Sequence, residues 1–359
     1  MHTLRLRIDI DDLSTPVSQR AMDEAAAILR RGGTVALPTE TVYGLGANAL
    51  DAAAVAAIFA AKERPGWDPL IVHVVDEAML AGLVDEIPEA ARKLMAAFWP
   101  GPLTLLLPRS ARVPDAVTAG RPLVGVRMPG HPVALEVIRR AGVPVAAPSA
   151  NSFGHTSPTT AEHVLDDLDG RIDAVLDAGP TAFGVESTVL DVSVSPMIVY
   201  RPGAVTVEQI REVAGAAEIF ADGGELALYS DEAPREGLPS PGVGLRHYAP
   251  RARLILVEAS EDAGLAGELW QVASANAAEP VGVMLPAEMD EAENGLDWRG
   301  FSVFHWGHWS APEELARWLF AGLRELDAAG CEVIVCPLPT GPGIRTAIQD
   351  RLRKAARRT

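Results

Sequence analysis

Residues 34–46 read Thr-Val-Ala-Leu-Pro-Thr-Glu-Thr-Val-Tyr-Gly-Leu-Gly. Thr34-Val-Ala-Leu-Pro38 is a short apolar run closed by a proline, with the length and composition of a buried strand. The polar half, Pro38 to Gly46, sets hydroxyls beside two glycines that permit close backbone approach, although ordinary tight turns use such glycines too. A strand ending on a hydroxyl-rich segment is the local plan of an α/β scaffold that displays binding groups at its strand ends.

The same plan recurs on the C-terminal side. Residues 69–75 (Pro-Leu-Ile-Val-His-Val-Val), 103–107 (Leu-Thr-Leu-Leu-Leu), 123–127 (Leu-Val-Gly-Val-Arg) and 187–191 (Ser-Thr-Val-Leu-Asp) read as strands. Asp51 is a natural N-cap for a helix running through Lys62, with Val55, Ile58 and Phe59 on one face. Further helices fit 131–141 and 160–168. The segment 221–252 breaks the rhythm with Gly223-Gly224, Pro234, Pro239-Ser-Pro-Gly242 and Pro250, and reads as a linker. Beyond it, strands at about 253–257, 281–285 and 332–337 alternate with helical stretches at 312–327 and 344–356, which predicts a small parallel α/β sheet. The expected organisation is a first domain over 1–220, a linker and active-site lid over 221–252, and a C-terminal α/β domain over 253–359.

The chain has 359 residues, 48% hydrophobic and 22% charged, enough to bury the cores of two globular domains. Its 48 acidic against 31 basic residues leave a formal net charge of -17. That average field disfavours broad nucleic-acid binding but leaves room for a local cationic pocket. No basic start followed by an apolar run and cleavage site opens the sequence, and no stretch has the length of a membrane span, so the expectation is a cytoplasmic protein without membrane contact. The only cysteines, Cys331 and Cys336, fit neither a disulfide framework nor a zinc site and read as reduced core thiols.

Several polar clusters sit just past the apolar runs. Lys62-Glu-Arg-Pro65 places two cations at a helix end, which suits a triphosphate or the helix dipole. Lys62 is one of three lysines in a chain that otherwise uses arginine, and a compact ammonium suits phosphate oxygens. His73 lies inside an apolar strand, facing either a site or the core. Arg127 ends a strand, where it can grip a carboxylate bidentately or serve a structural ion pair. Pro148-Ser-Ala-Asn-Ser-Phe-Gly154, continuing to Ser157-Pro158, is dense in hydroxyl and amide groups. Gly184-Val-Glu-Ser-Thr-Val189 and Tyr200-Arg-Pro-Gly203 add a hydroxyl and an arginine at strand ends. HExxH, paired Cys-x-x-Cys, G-x-S-x-G and Walker lysine patterns are absent. Cations for phosphates, an arginine for a carboxylate, many hydroxyls and no evident nucleophile together suit nucleotidyl transfer by positioning and charge stabilisation.

Pro38-Thr-Glu-Thr-Val-Tyr-Gly-Leu-Gly46, Lys62-Glu-Arg-Pro65, Pro69-Leu-Ile-Val-His73, Val126-Arg-Met-Pro129, Pro148-Ser-Ala-Asn151, Glu186-Ser-Thr188 and Arg201-Pro-Gly203 resemble, in order and spacing, the threonylcarbamoyl-AMP synthase family with its YrdC-type domain. Ser240-Pro-Gly242, His247-Tyr-Ala-Pro250 and Ala347-Ile-Gln-Asp-Arg351 resemble the linker and C-terminal domain of that family's long form. The resemblance implies a YrdC-type twisted mixed sheet with helices, the linker, and a small Rossmann-like parallel α/β domain. It also implies the condensation of L-threonine, bicarbonate and ATP, with Mg²⁺ held through the ATP phosphates, to threonylcarbamoyl-AMP and pyrophosphate. The product is the donor for N6-threonylcarbamoyladenosine in tRNA, passed to a downstream threonylcarbamoyl transferase machinery without stable direct tRNA binding by this chain.

By that resemblance Lys62, Arg64, Ser149 and Asn151 are catalytic and hold the phosphates. Asp68, Thr118, Ser157, Arg201, His247 and Tyr248 complete the ATP site, with Tyr248 as a lid that excludes water. Thr41, His73, Arg127, Ala147 and Ser187 cradle threonine. Asp68 stands where the family usually carries asparagine, and a carboxylate beside a triphosphate is costly unless it meets a metal or a cation. An RNA-binding protein that uses the cationic cavity without catalysis is the alternative. Carbamoyl transfer in hydrogenase maturation is a weaker rival, since two cysteines cannot build its zinc modules. Gly341-Pro-Gly343 lacks the third spaced glycine of a dinucleotide fingerprint, so the C-terminal domain is expected to serve a structural or regulatory role.

Overall fold

The structure is a computed structural model that describes residues 2–220, 237–243, 247–258, 262–289 and 295–357. Of the expected linker, 221–236 and 244–246 lie outside the described residues. The chain divides into two compact units, one of Met1–Phe153, Ser157–Ala182 and Glu186–Leu245, the other of Gly154–Thr156, Phe183–Val185 and Arg246–Thr359.

The first unit is built on one mixed sheet. Its strands are β1 (Leu4–Arg7), β2 (Val35–Leu37), β3 (Gly44–Asn48), β4 (Ile71–His73), β5 (Leu103–Pro108), β6 (Leu123–Arg127), β7 (Val145–Ala146), β8 (Ala174–Asp177), β9 (Thr188–Asp191), β10 (Met197–Arg201) and β11 (Ala217–Ile219). They lie in the order β1-β8-β2-β3-β7-β4-β6-β5-β9-β10-β11. β4 runs parallel to β6 and β5 parallel to β9, while β5 and β6 pair antiparallel, so strand ends from distant parts of the chain meet.

Helices cover the sheet because their apolar residues recur on one side. Met22, Ile28 and Leu29 of the helix Pro16–Arg30 pack with Val133, Val137 and Ile138 of Pro132–Ala141 over Val35, Val145 and Leu176. Ala54, Val55 and Ile58 of the helix Ala52–Lys62 join a second cluster with Leu45, Val72 and Leu105. Asp51 caps that helix by accepting from the Ala53 and Ala54 amides.

The segment read as a glycine loop is partly a strand. Gly44 and Gly46 belong to β3, antiparallel to β2. A Cβ on Gly46 would come within 2.8 Å of a Val145 methyl, so glycine serves close strand packing here rather than an open turn.

The second unit carries a parallel sheet of β12 (Arg253–Val257), β13 (Val281–Leu285), β14 (Ser302–His305) and β15 (Val333–Pro337), ordered β12-β15-β13-β14. The helices Pro312–Ala328 and Ile344–Ala355 lie where the apolar periodicity predicts them. The strand Ser302–His305 and the helix Asp262–Ala275 were not anticipated. Both cysteines are free and buried, and burial pushes the Cys336 thiol up.

Candidate active site

The parallel pairing of β4 and β6 sets His73 opposite Arg127, and β7 sets Val145 opposite His73 from the other side. Ala147 follows directly, its amide donating to the Ile71 carbonyl at 2.9 Å. Arg127 donates from Nη1 to Thr41 Oγ1 at 3.0 Å, from Nη2 to Glu40 Oε1 at 2.5 Å and from Nε to the Gly101 carbonyl at 3.2 Å. Thr41, His73 and Arg127 therefore gather where β4 and β6 end, while Ala147, beyond the antiparallel β7, stands beside Ile71 at the other end of β4. Ser187 directly precedes β9, two strands beyond β6 with β5 between. Its hydroxyl lies 2.8 Å from that of Thr104, in the strand beside β6, and accepts from Arg201 Nη2 at 3.0 Å.

Burial and then the neighbouring Arg127 push His73 down to about 3, so its imidazole is neutral at any physiological pH. Burial works to raise the Glu40 carboxyl, but the Arg127 guanidinium and the Gly130 amide outweigh it and hold the group below the usual carboxylate range. Glu40 is a site residue that sequence reasoning missed. It stood in the quoted motif, but only the fold pairs it with an arginine 87 positions away.

The second cluster forms where the helix Ala52–Lys62 ends. Glu63 turns the chain with φ 55, a left-handed conformation that sends the following segment away from the helix axis. Lys62 Nζ donates to the Ser149 carbonyl at 2.6 Å and to the Asn151 carbonyl, and the Phe153 amide returns a bond to Lys62 O at 2.9 Å. Arg64 Nη2 lies 3.0 Å from the Asp68 carboxylate and donates to the Pro69 carbonyl at 2.8 Å, while Nε donates to the Asp68 carbonyl. Burial raises the Asp68 carboxyl, against the pull of Arg64, Lys62 and Arg201. Asp68 does meet a cation, as a carboxylate in this position must.

Thr118 closes a four-residue helix whose Val117 carbonyl accepts from the Leu70 amide, which sets it beside the start of β4. Ser157 donates to the Glu186 carboxylate, and Arg201 Nε donates to the Ser187 carbonyl at 3.0 Å. Ser187 thus joins the expected threonine residues to the expected nucleotide residue Arg201. His247 and Tyr248 fall in the second unit. Tyr248, 1% exposed and at φ 65, stacks on Phe320 with centroids 5.7 Å apart, under the Arg351 guanidinium at 5.0 Å.

Glu40 Oε2, Asp68 Oδ1, His73 Nδ1 and Thr118 Oγ1 are buried with no hydrogen-bond partner. Buried groups of this kind are rare in a finished core, and these are among those that the described residues contain. Among the described residues no three His, Cys, Asp or Glu side chains gather to hold a metal ion. The hard oxygens at Ser149 and Asn151 suit a magnesium ion that arrives with phosphate oxygens.

Comparison with known proteins finds named relatives of this chain. A family model described as "Telomere recombination" matches residues 27–203, and one described as "Threonylcarbamoyl-AMP synthase, C-terminal domain" matches 205–357. The threonylcarbamoyl-AMP synthase of Bacillus subtilis is 44% identical over 363 residues, covering 99% of this chain and 98% of the relative. That of Pyrococcus abyssi is 42% identical over 334 residues, 92% and 93% of the two chains. The crystal structure of P. abyssi Sua5 complexed with L-threonine has a TM-score of 0.86 and 38% identity, covering 99% of this chain and 98% of that one.

Proposed function

The chain belongs to the threonylcarbamoyl-AMP synthase family, and from that premise we propose that it is a nucleotidyltransferase joining L-threonine, bicarbonate and ATP into threonylcarbamoyl-AMP and pyrophosphate. The observation that carries this reading is that one unit holds both the buried Lys62 and Arg64, at the Ser149–Asn151 carbonyls and Asp68, and the buried Arg127 fixed on Thr41 beside His73.

The chemistry needs two charge environments side by side. In the first, the amine of threonine captures bicarbonate as a carbamate, with loss of water. The Arg127 guanidinium, held on three sides, binds the amino-acid carboxylate in a fixed orientation. Thr41 and Ser187 supply hydroxyls for the substrate's polar groups, the Ala147 backbone closes the cradle, and neutral His73 contributes a ring nitrogen that carries no competing charge. In the second environment, the carbamate oxygen attacks the α-phosphorus of ATP and pyrophosphate leaves. Lys62 and Arg64, with Ser149 and Asn151, stabilise the charge that develops on the departing phosphates, and Arg201 neutralises phosphate charge from the β10 end. Thr118 and Ser157 complete the nucleotide set.

Magnesium arriving with ATP would supply further neutralisation, and Ser149 and Asn151 are the residues whose oxygens would hold it. Cytoplasmic tRNA modification is the setting that fits, the adenylate passing to a separate transferase that acts on tRNA. No described helix is long and apolar enough to cross a membrane. The RNA-binding alternative is disfavoured by the charge of -17.

The test is pyrophosphate release from ATP and Mg²⁺ with threonine and bicarbonate added singly and together, for wild type and Lys62→Ala. Release is expected only with both co-substrates, and to fall at least 100-fold in the variant, about 2.7 kcal/mol of transition-state stabilisation. Release that ignores threonine, or survives in the variant, overturns the reading.

A further inference from the structure

The reaction above makes no use of Thr104. This residue lies in β5, between β6 and β9, and is fully buried. Its neighbours Leu103 and Leu105 belong to the large core on one side of the sheet, so alternation sends Thr104 to the other side. There its methyl stands 3.4 Å from where a Cβ on Gly125 would lie, on the face that carries Arg127 two residues further along β6. The antiparallel register that pairs Leu106 with Gly125 and Leu105 with Val126 continues to Thr104 beside Arg127, and Arg127 is itself the partner of His73 in β4. The row His73, Arg127, Thr104 therefore crosses three neighbouring strands, and the Thr104 hydroxyl extends it to that of Ser187, 2.8 Å away.

The protons of this row can be placed from its partners. Arg201 Nη2 can only donate, so the Ser187 hydroxyl accepts from it, at 3.0 Å. Between the two hydroxyls either oxygen could be the donor. Among the described residues Ser187 Oγ is the one hydrogen-bond partner of the Thr104 hydroxyl, and a fully buried O–H left without an acceptor is costly. Thr104 therefore donates to Ser187. Two accepted bonds fill both lone pairs of Ser187 Oγ and leave its own proton directed away from Thr104 and Arg201. Valine would suit the shape and the strand as well as threonine does, but it would open one of those lone pairs and let the Ser187 hydroxyl turn.

We propose that Thr104 is a positioning residue for L-threonine: by donating to Ser187 it makes the Ser187 hydroxyl a fixed donor to an anionic oxygen of the amino-acid substrate, on the sheet face that also carries Arg127. The inference rests on the reading of Ser187 as a threonine contact.

The test titrates full-length wild type, Thr104→Val, Thr104→Ala, Thr104→Ser, Ser187→Ala and the double variant of Thr104→Val with Ser187→Ala by calorimetry, separately with L-threonine and with a non-hydrolysable ATP analogue plus Mg²⁺, and records thermal unfolding of each. Thr104→Val should weaken threonine about fivefold, the size of one net hydrogen bond, and leave the nucleotide within about twofold. Thr104→Ala also lacks the hydroxyl and adds no atoms, so it gives the same reading should the valine variant fail to fold. Thr104→Ser restores the hydroxyl and should bind threonine within about twofold of wild type. Because Thr104 acts through Ser187, its replacement in the Ser187→Ala background should cost less than about twofold more. Unchanged threonine affinity without the Thr104 hydroxyl, equal weakening of both ligands, no recovery with serine, or a further loss of about fivefold in the Ser187→Ala background overturns the proposal. A wild type that binds no threonine, or a Ser187→Ala variant that binds it as tightly as wild type, overturns the reading of Ser187 itself, and the positioning role with it.

Discussion

Asp68→Asn should tighten ATP binding, and the structure gives both sign and scale. Asp68 is 1% exposed, 3.0 Å from Arg64, with Oδ1 unpartnered. Burial raises its carboxyl, so desolvation outweighs the attraction of Arg64, Lys62 and Arg201. A carboxyl raised in the folded state binds its proton more tightly there than in the unfolded chain. Its ionised form therefore lowers stability above the unfolded pKa of about 3.9, and the penalty vanishes below it. Asparagine removes that penalty at pH 7, while Arg64 keeps the Asp68 and Pro69 backbone carbonyls as acceptors. Toward ATP, one carboxylate roughly 7 Å from one phosphate charge repels it by about 2.4 kcal/mol at an effective dielectric of about 20. Solvent at the mouth of the site reduces this to about 1–2 kcal/mol, or roughly 5- to 30-fold in dissociation constant. Calorimetric titration with an ATP analogue and Mg²⁺ at pH 7.5 reads the affinity, and thermal unfolding at pH 7 and pH 4 reads the stability. Unchanged affinity refutes the electrostatic argument; weaker binding would mean that the Asp68 oxygen holds the metal.

Arg127→Lys should raise the threonine KM by at least tenfold and leave the ATP KM within about twofold, since a lysine cannot reproduce three donors in a fixed fork; steady-state kinetics with each substrate varied reads the split. Glu40 is held below the usual carboxylate range, so its contribution to stability is present above the unfolded pKa of about 4.3 and is lost as pH falls through the folded value. Denaturant titrations of Glu40→Gln across pH 3–7 should show a shallower acid limb, and a limb identical to wild type would count against this. His73, pushed down to about 3, makes the unfolded chain the better proton binder between pH 6.5 and 3, at up to about 1.4 kcal/mol per pH unit. His73→Gln should remove that slope in the same titrations, and its persistence would place the slope elsewhere.

The parts of the fold legible in the sequence were those whose apolar pattern is local. Leu123–Arg127 appears as a strand where it was read, because a branched apolar run ending in a charge has few other uses. β3 was not legible. Gly44-Leu-Gly46 has the composition of a turn, and only the close approach of Val145 explains glycines in a strand. The site residues were legible as types and not as a constellation. Lys62 and the Ser149 carbonyl are 87 positions apart, and Thr104 and Ser187 are 83 apart. Each pairing is set by the register of strands that no local pattern specifies. Tyr248 is the sharpest case. Sequence puts it on a linker, and the structure buries it against Phe320 and Arg351, side chains carried by two separate helices of the second unit.

How an acidic chain of net charge -17 keeps a cationic site follows from the acceptors it uses. Lys62 donates to two backbone carbonyls, Arg201 to a carbonyl and a hydroxyl, and Arg64 to two carbonyls besides Asp68. Carbonyl oxygens orient a buried cation and satisfy its donors without cancelling its formal charge, whereas a carboxylate does both. Donation to carbonyls and hydroxyls leaves more positive potential for a small anion than donation to carboxylates would. The acidic remainder of the surface repels an extended polyanion. That combination selects a free nucleotide over an RNA backbone. Asp68 and Glu40 are carboxylates that offset it, one in each cluster, and this is why the Asp68 and Arg127 predictions separate the two substrates.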